Sequence, residues 1–264
     1  MNKISFLLNY LAYYIKADNK HDIHSPYVFK LVTEVFNDNS PYPVYQKIET
    51  LRKQLLKDNT KIAVEDFGAG AKSKSGCYPE LHQIKSIAKK SAKPAKYAQL
   101  LYRLARFIQP QSLIELGTSL GITACYQAVA ATDSKFITCE GSVAIANKAQ
   151  QNFNQLELKN IEIVTGNFDE IFAQVLNRFE TVDWIFFDGN HRKAPTLNYF
   201  NEALKKINQN TVFIFDDINW SNEMKEAWNE IKQHSSVTVT IDIYLMGFVF
   251  FNKDLSRQHF VIRY

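Results

Sequence analysis

The stretch Ser112-Leu-Ile-Glu-Leu-Gly-Thr-Ser-Leu-Gly-Ile-Thr-Ala-Cys-Tyr126 decides the fold of this chain. Its first residues, Leu113–Leu116, predict a short buried strand. Gly117 and Gly121 then bracket a tight turn, and the residues from Ile122 onward have the composition of a helix. A strand, a glycine-containing turn and a helix form the first unit of a nucleotide-binding α/β sheet. The helix N-terminus adds free N–H groups and a partial positive charge to that turn.

The spacing of the two glycines indicates which ligand the turn would accept. Gly117-x-x-x-Gly121 is neither the dinucleotide fingerprint nor a P-loop. Glu115 lies two residues before the first glycine, and a carboxylate facing the turn suits a cationic or amino-bearing ligand better than a pyrophosphate. S-adenosylmethionine, with its sulfonium and α-amino group, has this character. By itself the motif is explained equally well by an ordinary strand-to-helix turn.

Length and composition predict a globular protein of one large domain or a domain with an appendage. The chain has 264 residues, of which 46% are hydrophobic, and no apolar run approaches the roughly 20 residues that span a bilayer. The apolar run 4–15 is interrupted by Asn9 and predicts an amphipathic helix rather than a signal peptide. Cys77, Cys125 and Cys139 are odd in number and lack metal-ligand spacing, which predicts reduced thiols and a cytoplasmic location.

Charge is distributed unevenly along the chain. Residues 1–100 carry a net charge of +7 and the remainder −3. A basic first third could meet a phosphate-bearing or acidic partner, but a solvated lysine-rich helical surface explains the same bias and is favoured.

Helical patterns dominate the first third of the chain. Residues 1 to about 58 and 79–108 predict helices, with Ser25-Pro26 as a helix start. Between them, Asp66-x-Gly68-x-Gly70 imitates a nucleotide turn, but the polar run 72–76 follows it and favours a lid or substrate loop. His21 and His24 lack a third ligand nearby, so a structural role is favoured over metal binding.

Regular alternation of strands and helices begins at Gln111. The predicted strands are residues 113–116, 136–140, 161–165, 182–187, 211–215, 237–244 and 247–251. The last two are joined by a short connection and should be antiparallel. The predicted fold is therefore α/β, with a Rossmann-like sheet of seven strands, mostly parallel with a C-terminal antiparallel strand. An N-terminal helical cap of residues 1–95 would precede the sheet domain of residues 96–264.

Candidate nucleoside-binding residues follow the second and third of these strands. Glu140 ends its strand about 20 residues beyond the glycine turn, where an α/β nucleotide fold places a carboxylate on the ribose hydroxyls. Gly141 beside it leaves room for the sugar. Asn167 and Phe168 could bracket an adenine, although a chance loop of the same composition competes with that interpretation.

Three aspartates lie at the ends of two further predicted strands. Asp188 follows one strand and Asp216-Asp217 ends the next, and with Glu115 and Glu140 all five acids should gather at the same sheet edge. Mutually repelling carboxylates imply a counter-cation. The three aspartates could bind Mg²⁺ with water and substrate completing the shell. The alternative is that Asp216 or Asp217 caps the following helix.

A histidine lies close to the first of these aspartates. His191 is three residues past Asp188 and could act as a general base near neutral pH, whereas a surface or capping histidine is the alternative. Arg192 and Lys193 could instead steer an acidic substrate.

Taken together, the motifs resemble class I S-adenosylmethionine-dependent methyltransferases, and within them the catechol O-methyltransferase-like, metal-dependent enzymes. The resemblance covers roughly residues 95–251. The segments that carry it are Glu115–Gly121, Thr138–Gly141, Val164–Gly166, Asp183–Asp188 and Phe215–Asp217.

The resemblance implies a role for each candidate residue. The methionine end of the cofactor would lie at the turn, the ribose at the end of the second strand and the adenine after the third, with Asp188 contributing to both cofactor and metal. The implied cofactor-binding residues are Glu115, Gly117, Thr118, Ser119, Gly121, Glu140, Gly141, Asn167, Phe168 and Asp188. The implied metal ligands are Asp188, Asp216 and Asp217.

Two residues depart from the family pattern. The family commonly has Asp-Asn where this chain has Asp216-Asp217, and a lysine base where it has His191. The Asp-Asp pair is similar to that of sugar-modifying and antibiotic-tailoring relatives.

The expected reaction is methylation of a small-molecule hydroxyl. The enzyme would align the acceptor with the methyl donor, and a metal would lower the pKa of the acceptor hydroxyl. His191 would then take its proton. Asp188 and His191 are the expected catalytic residues. Methylation of RNA or protein is the alternative that the basic first third favours. A cofactor-binding scaffold without catalysis is a further alternative, whereas the glycine spacing disfavours a dehydrogenase. Nucleic acid is not an expected partner, and a homodimer is left open.

Aromatic residues of the cap could line the acceptor pocket, but at helical spacing a core role is favoured. These residues are Tyr13, Tyr14, Tyr27, Phe29 and Tyr42.

Overall fold

The computed structural model describes residues 3–18, 23–65 and 80–264. The Asp66–Gly70 motif, the polar run 72–76, His21 and Cys77 lie outside these ranges. The chain forms two compact units, with unit one comprising Met1–Asn37 and Phe179–Tyr264 and unit two comprising Asp38–Arg178. The predicted division at residue 95 follows the sequence pattern rather than these contacts, and it stays a prediction.

Helices and strands alternate through most of the described chain. The helices are α1 Lys3–Lys16, α2 Pro26–Leu31, α3 Pro43–Leu55, α4 Ile84–Ser91, α5 Ala95–Ile108, α6 Ile122–Ala130, α7 Val143–Gln155, α8 Phe168–Leu176, α9 Lys193–Ala203 and α10 Asn222–Gln233. The strands are β1 Lys61–Val64, β2 Glu80–Gln83, β3 Ser112–Leu116, β4 Lys135–Glu140, β5 Ile161–Thr165, β6 Trp184–Phe187, β7 Val212–Asp216, β8 Val239–Asp242, β9 Met246–Phe250 and β10 Gln258–Val261. Short π and 3₁₀ segments occupy Val32–Phe36 and Leu204–Lys206.

Unit two contains three parallel strands in the order β3-β4-β5. Every residue of β3 is buried, as expected for a parallel strand that is covered on both faces. The predicted strands 113–116, 136–140 and 161–165 are confirmed to within one residue at their ends. A separate antiparallel pair, β1 and β2, was not predicted.

Unit one contains five strands in the order β10-β8-β9-β7-β6. β6 and β7 are parallel, whereas β9 is antiparallel to both β7 and β8, which confirms the predicted C-terminal antiparallel pair. Strand β10 pairs in parallel with β8 and was missed. Its four residues are half-buried or exposed and carry no apolar run, so its pairing depends on β8 rather than on its own pattern.

The predicted helix start at Ser25-Pro26 is confirmed, since Ser25 Oγ accepts a hydrogen bond from the Val28 N–H and Pro26 is the first residue of α2. No helix among residues 3–18, 23–65 and 80–264 combines the length and apolar character that crossing a membrane requires.

Most of the cap aromatics pack on other rings. Tyr13 is buried against Tyr244, Tyr27 contacts the Phe250 ring edge-to-face at 5.5 Å, and Tyr42 contacts the Tyr102 ring at 5.1 Å. These contacts agree with the favoured core role. Tyr14 and Phe29 are instead exposed.

Gly247 of β9 offers a test of packing in unit one. A Cβ added at this position would lie 2.6 Å from Cη2 of Trp228, a buried residue of α10. We expect Gly247→Ala to lower the free energy of unfolding by about 1–3 kcal/mol, because the indole must move in a packed core.

Urea unfolding of four proteins measures this cost: the unmodified chain, Gly247→Ala, Trp228→Leu and the double variant. The cost of the alanine should fall markedly in the Trp228→Leu background, because the clashing ring is absent. Strictly additive effects would contradict the steric explanation.

Candidate functional site

The turn between β3 and α6 in unit two has the backbone conformation that its glycines predict. Gly117 and Gly121 have φ angles of 105° and 79°, in the left-handed region that favours glycine. The Gly117 and Thr118 N–H groups both donate to the Cys139 carbonyl oxygen, at 3.0 and 3.1 Å. The turn is therefore fastened to the end of β4, the strand that carries Glu140.

A side chain at Gly121 is excluded for a second reason. A Cβ there would lie 2.5 Å from Cε1 of Phe153 in α7. Asn152 of the same helix donates from Nδ2 to the Leu120 carbonyl oxygen at 2.8 Å. The glycine thus allows α7 to pack directly against the turn.

Glu140 binds the turn through its side chain. Its Oε2 accepts a hydrogen bond from the Ser119 N–H at 2.8 Å, and its Oε1 accepts one from the Ser142 N–H at 3.0 Å. Burial raises the pKa of this carboxyl, while these backbone N–H groups oppose the shift. The predicted proximity of Glu140 to the glycine turn is therefore observed.

Glu115 lies deeper than its sequence position suggests. It has no exposed surface; its Oε1 accepts from Gln127 Nε2 at 2.7 Å, and its Oε2 accepts from the Thr138 hydroxyl at 2.6 Å. The Thr138 and Thr118 hydroxyl oxygens are themselves 2.6 Å apart. The carboxylate is thus linked to the turn through Thr138 and Thr118, and it does not face an open surface in front of the turn.

Burial raises the pKa of Glu115 to about 8, and the hydrogen bonds from Thr138 and Gln127 oppose the shift. The neutral form of this side chain therefore predominates at neutral pH.

The candidate adenine residues begin α8. Asn167 is the N-cap, and its side-chain oxygen accepts from the Asp169 N–H at 3.1 Å, which gives it a structural role. Gly166 donates its N–H to the Glu140 carbonyl oxygen at 3.0 Å, so this loop begins beside the end of β4. Phe168 is partly exposed, and its contact with an adenine stays a prediction.

Unit one brings three other predicted site residues together. Asp188, His191 and Asp216 each place one potential ligand atom within 4.8 Å of those of the other two. Asp188 follows β6 and Asp216 ends β7, and the two strands are parallel neighbours in register. Two carboxylates and an imidazole are a donor set that fits a divalent cation.

Asp217 lies beside this group rather than within it. Its Oδ2 is 4.0 Å from His191 Nε2, and the same nitrogen is 3.7 Å from Asp188 Oδ1. The imidazole therefore lies near two carboxylates. The role of Asp217 as a metal ligand stays a prediction.

The helix-capping alternative for Asp216 and Asp217 is wrong. Helix α10 begins at Asn222, and its N-cap Ser221 accepts from the Met224 N–H at 3.1 Å. The two aspartates lie four or more residues earlier, so capping does not account for them.

Lys193 is paired with two acids of its own unit, and the steering of an acidic substrate by Arg192 and Lys193 stays a prediction. The Nζ of Lys193 is 2.9 Å from Glu226 and 2.6 Å from Glu230 of α10, which neutralise it. Of the two histidines considered as metal ligands in the cap region, His24 lies among the described residues and is exposed.

Comparison with known proteins agrees with the motif pattern. A family model described as a methyltransferase domain matches residues 114–218. The catechol O-methyltransferase of Niastella koreensis is 30% identical over 131 residues, which are 48% of this chain and 57% of that protein. The chain thus matches little more than half the length of this relative.

Residues 114–218 therefore match a methyltransferase domain, and the chain is similar over about half its length to a catechol O-methyltransferase.

Solved structures share the fold of this methyltransferase domain. The O-methyltransferase from Bacillus cereus in complex with SAH has a TM-score of 0.56 and 18% identity, covering 85% of this chain and 97% of that one. TomG from Streptomyces achromogenes, an O-methyltransferase involved in tomaymycin synthesis and solved in complex with SAM, has a TM-score of 0.54 and 21% identity, covering 61% and 82%. The predicted Rossmann-like fold is confirmed.

The predicted site residues divide between the two units of the chain. The glycine turn, Glu115 and Glu140 belong to unit two, and the three aspartates with His191 belong to unit one. Within each unit the residues lie together as described. The predicted convergence of all five acids on one ligand stays a prediction.

Sequence reasoning missed the polar residues that support the turn. Thr138 and Gln127 hold Glu115, and Ser91 of α4 approaches the Ser119 hydroxyl, with the oxygens 2.6 Å apart. The only signal for Thr138 and Gln127 was that they are polar residues in an otherwise apolar strand and helix. That signal does not indicate that they bind Glu115.

The buried Glu115 carboxyl predicts a pH dependence of stability. The unfolded chain releases this proton near pH 4.5, whereas the folded protein retains it up to about pH 8. Its contribution is therefore complete below pH 4.5 and is lost as pH rises to about 8, by at most on the order of 5 kcal/mol. Relative to the unmodified chain, Glu115→Gln should gain stability as pH rises through this window.

Urea unfolding at a series of pH values between 4.5 and 8.5 measures the difference. Glu202→Gln is the matched control, because Glu202 is an exposed glutamate near Lys205. If the stability difference between Glu115→Gln and the unmodified chain is flat across the window, Glu115 does not titrate as described.

Proposed function

We propose that this protein transfers a methyl group from S-adenosylmethionine to a hydroxyl of a small molecule. The observation that carries the proposal is the link from Glu140 at the end of β4 to the Ser119 N–H in the glycine turn. This link puts a carboxylate beside the turn, as nucleoside binding requires. The catechol O-methyltransferase relative and the SAM- and SAH-bound structures of the same fold support the choice of donor and acceptor atom.

The residues of unit two would hold the donor. The turn Gly117–Gly121 would face its methionine end, with Thr118 and Ser119 as part of the turn; their backbone N–H groups bind the end of β4 and keep the turn in place. The Glu140 oxygens would accept the ribose hydroxyls at their remaining lone pairs, with Gly141 alongside. Asn167 and Phe168 would lie at the adenine. When bound, S-adenosylmethionine supplies a methyl group on a cationic sulfur that an acceptor oxygen displaces.

Asp188 and Asp216 would hold a divalent cation such as Mg²⁺, with Asp217 as a further oxygen ligand. Their placement at the ends of adjacent parallel strands supports this assignment. A bound cation lowers the pKa of a ligated hydroxyl and orients it. Repulsion between the two carboxylates, one of them almost fully buried, also favours a positive charge at this position.

His191 would accept the proton of the acceptor hydroxyl at a ring nitrogen. Its side chain is 26% exposed, so a substrate can reach it, and Asp188 and Asp217 lie close enough to stabilise the imidazolium that results. A histidine that ligates the cation through the same nitrogen could not take this proton. The two roles of His191 are therefore separable by experiment.

A small-molecule acceptor is preferred to RNA or protein because of the relatives' activities and because Lys193 is neutralised by acids of its own unit. The two cysteines among the described residues, Cys125 and Cys139, are buried free thiols, which supports a cytoplasmic location.

Calorimetric titration with S-adenosylhomocysteine tests the donor site. We expect Glu140→Gln to weaken binding by about 10- to 100-fold, because a charged acceptor of the ribose hydroxyls is replaced by an amide. Glu162→Gln, at an exposed glutamate of the neighbouring β5, is the control and should bind normally.

The thermal midpoint of Glu140→Gln must be measured alongside, since the carboxylate also holds Ser119 and Ser142. If the unmodified chain binds NAD and not S-adenosylhomocysteine, the proposed function is wrong.

The cation site is tested with Mn²⁺, whose free concentration is measured by electron paramagnetic resonance. Asp188→Asn and Asp216→Asn should each weaken Mn²⁺ binding at least about tenfold, because each removes a charged ligand. Asp254→Asn, at an exposed aspartate distant in sequence, is the control.

His191→Ala separates the two roles of the imidazole. As a base its loss should lower kcat by about 10²- to 10⁴-fold and remove a limb of the pH profile, with Mn²⁺ affinity retained. A tenfold loss of Mn²⁺ affinity in this variant would instead identify His191 as a ligand.

A further inference from the structure

Helix α1 exposes large apolar side chains along one face. Leu8, Leu11 and Ile15 are 61%, 47% and 80% exposed, and their spacing of three and four residues places them in a single stripe. With Tyr14, which is 42% exposed, this stripe presents on the order of 400 Å² of surface, comparable to the largest apolar patch on a typical monomer. We refer to these four residues as the α1 face.

The helix is held in place by its other side. Tyr13 is buried, and its hydroxyl donates to the Ile262 carbonyl oxygen. Ala17 lies in the same buried cluster, and the Tyr10 ring contacts the Tyr244 ring edge-to-face at 5.2 Å. These contacts leave the α1 face pointing away from unit one, so folding of that unit does not account for its apolar character.

The charged residues within α1 are positive, and Asp18 follows two residues beyond its end. α1 contains Lys3 and Lys16 and no acidic residue. The exposed Arg263 places its guanidinium carbon 4.2 Å from the centre of the Tyr14 ring and donates to the Tyr14 carbonyl oxygen at 3.0 Å. An apolar stripe with cations at its end is the pattern of helices that lie in a membrane interface.

We propose that α1 adsorbs to an anionic lipid surface with the α1 face toward the acyl chains. A second copy of the chain fits less well, because the exposed area is about half of the roughly 800 Å² per partner of a standard interface. An anionic surface instead complements Lys16 and Arg263.

Vesicle flotation of the full chain tests this inference, and it is independent of methyl transfer. We expect binding to vesicles of phosphatidylcholine mixed with phosphatidylglycerol, weaker binding to phosphatidylcholine alone, and loss of binding at high salt. Leu11→Gln/Ile15→Gln should reduce the partition coefficient at least about tenfold, because two apolar side chains no longer enter the interface. Lys16→Gln should reduce binding to the anionic vesicles selectively.

Leu81→Gln is the matched control, because Leu81 is 67% exposed on β2, away from α1 in the sequence, and should not alter flotation. Leu8→Gln is a second variant of the α1 face. The thermal midpoint of each variant should match that of the unmodified chain. Equal flotation on both vesicle types, or unchanged flotation of the α1 variants, would overturn the proposal. Sedimentation showing a dimer that Leu11→Gln/Ile15→Gln dissociates would assign the face to a second copy instead.

Discussion

The Glu140 carboxylate accepts the backbone N–H of Ser119 with one oxygen and that of Ser142 with the other. Through these bonds a single side chain joins the glycine turn after β3 to the start of α7. The Cys139 carbonyl, one residue earlier, accepts two further N–H groups of the same turn. The geometry of the candidate donor site therefore depends on where β4 ends, and β4 is fixed by its parallel pairing with β3 and β5.

Burying Glu115 beside this turn carries an energetic cost that hydrogen bonds must offset. A carboxyl without solvent contact is stable only with hydrogen-bond partners, and Gln127 and Thr138 provide them. Thr138 then connects the carboxylate to Thr118 in the turn. The turn is thus supported by a polar network inside the sheet as well as by Glu140, which makes its conformation sensitive to the charge of one buried acid.

In unit one the same rule of parallel strands places two acids side by side. β6 and β7 end side by side, and the residue after one and the last residue of the other are Asp188 and Asp216. His191 reaches the same place because the chain turns back at Asn190, which has a φ angle of 53°. A cation and a base can therefore be proposed from adjacent loops, while the α1 face provides a separate surface of the same unit.

The sequence by itself determined the α/β alternation, strands β3 to β9, the glycine turn and the position of Glu140 near it. These features follow from local periodicity and from positive φ angles that glycine satisfies at least cost. The tertiary structure alone decided that Glu115 is buried, that β10 pairs with β8 and that Lys193 is neutralised by α10. Each of these depends on partners distant in sequence, and a side chain's own pattern does not name the residue that will pair with it.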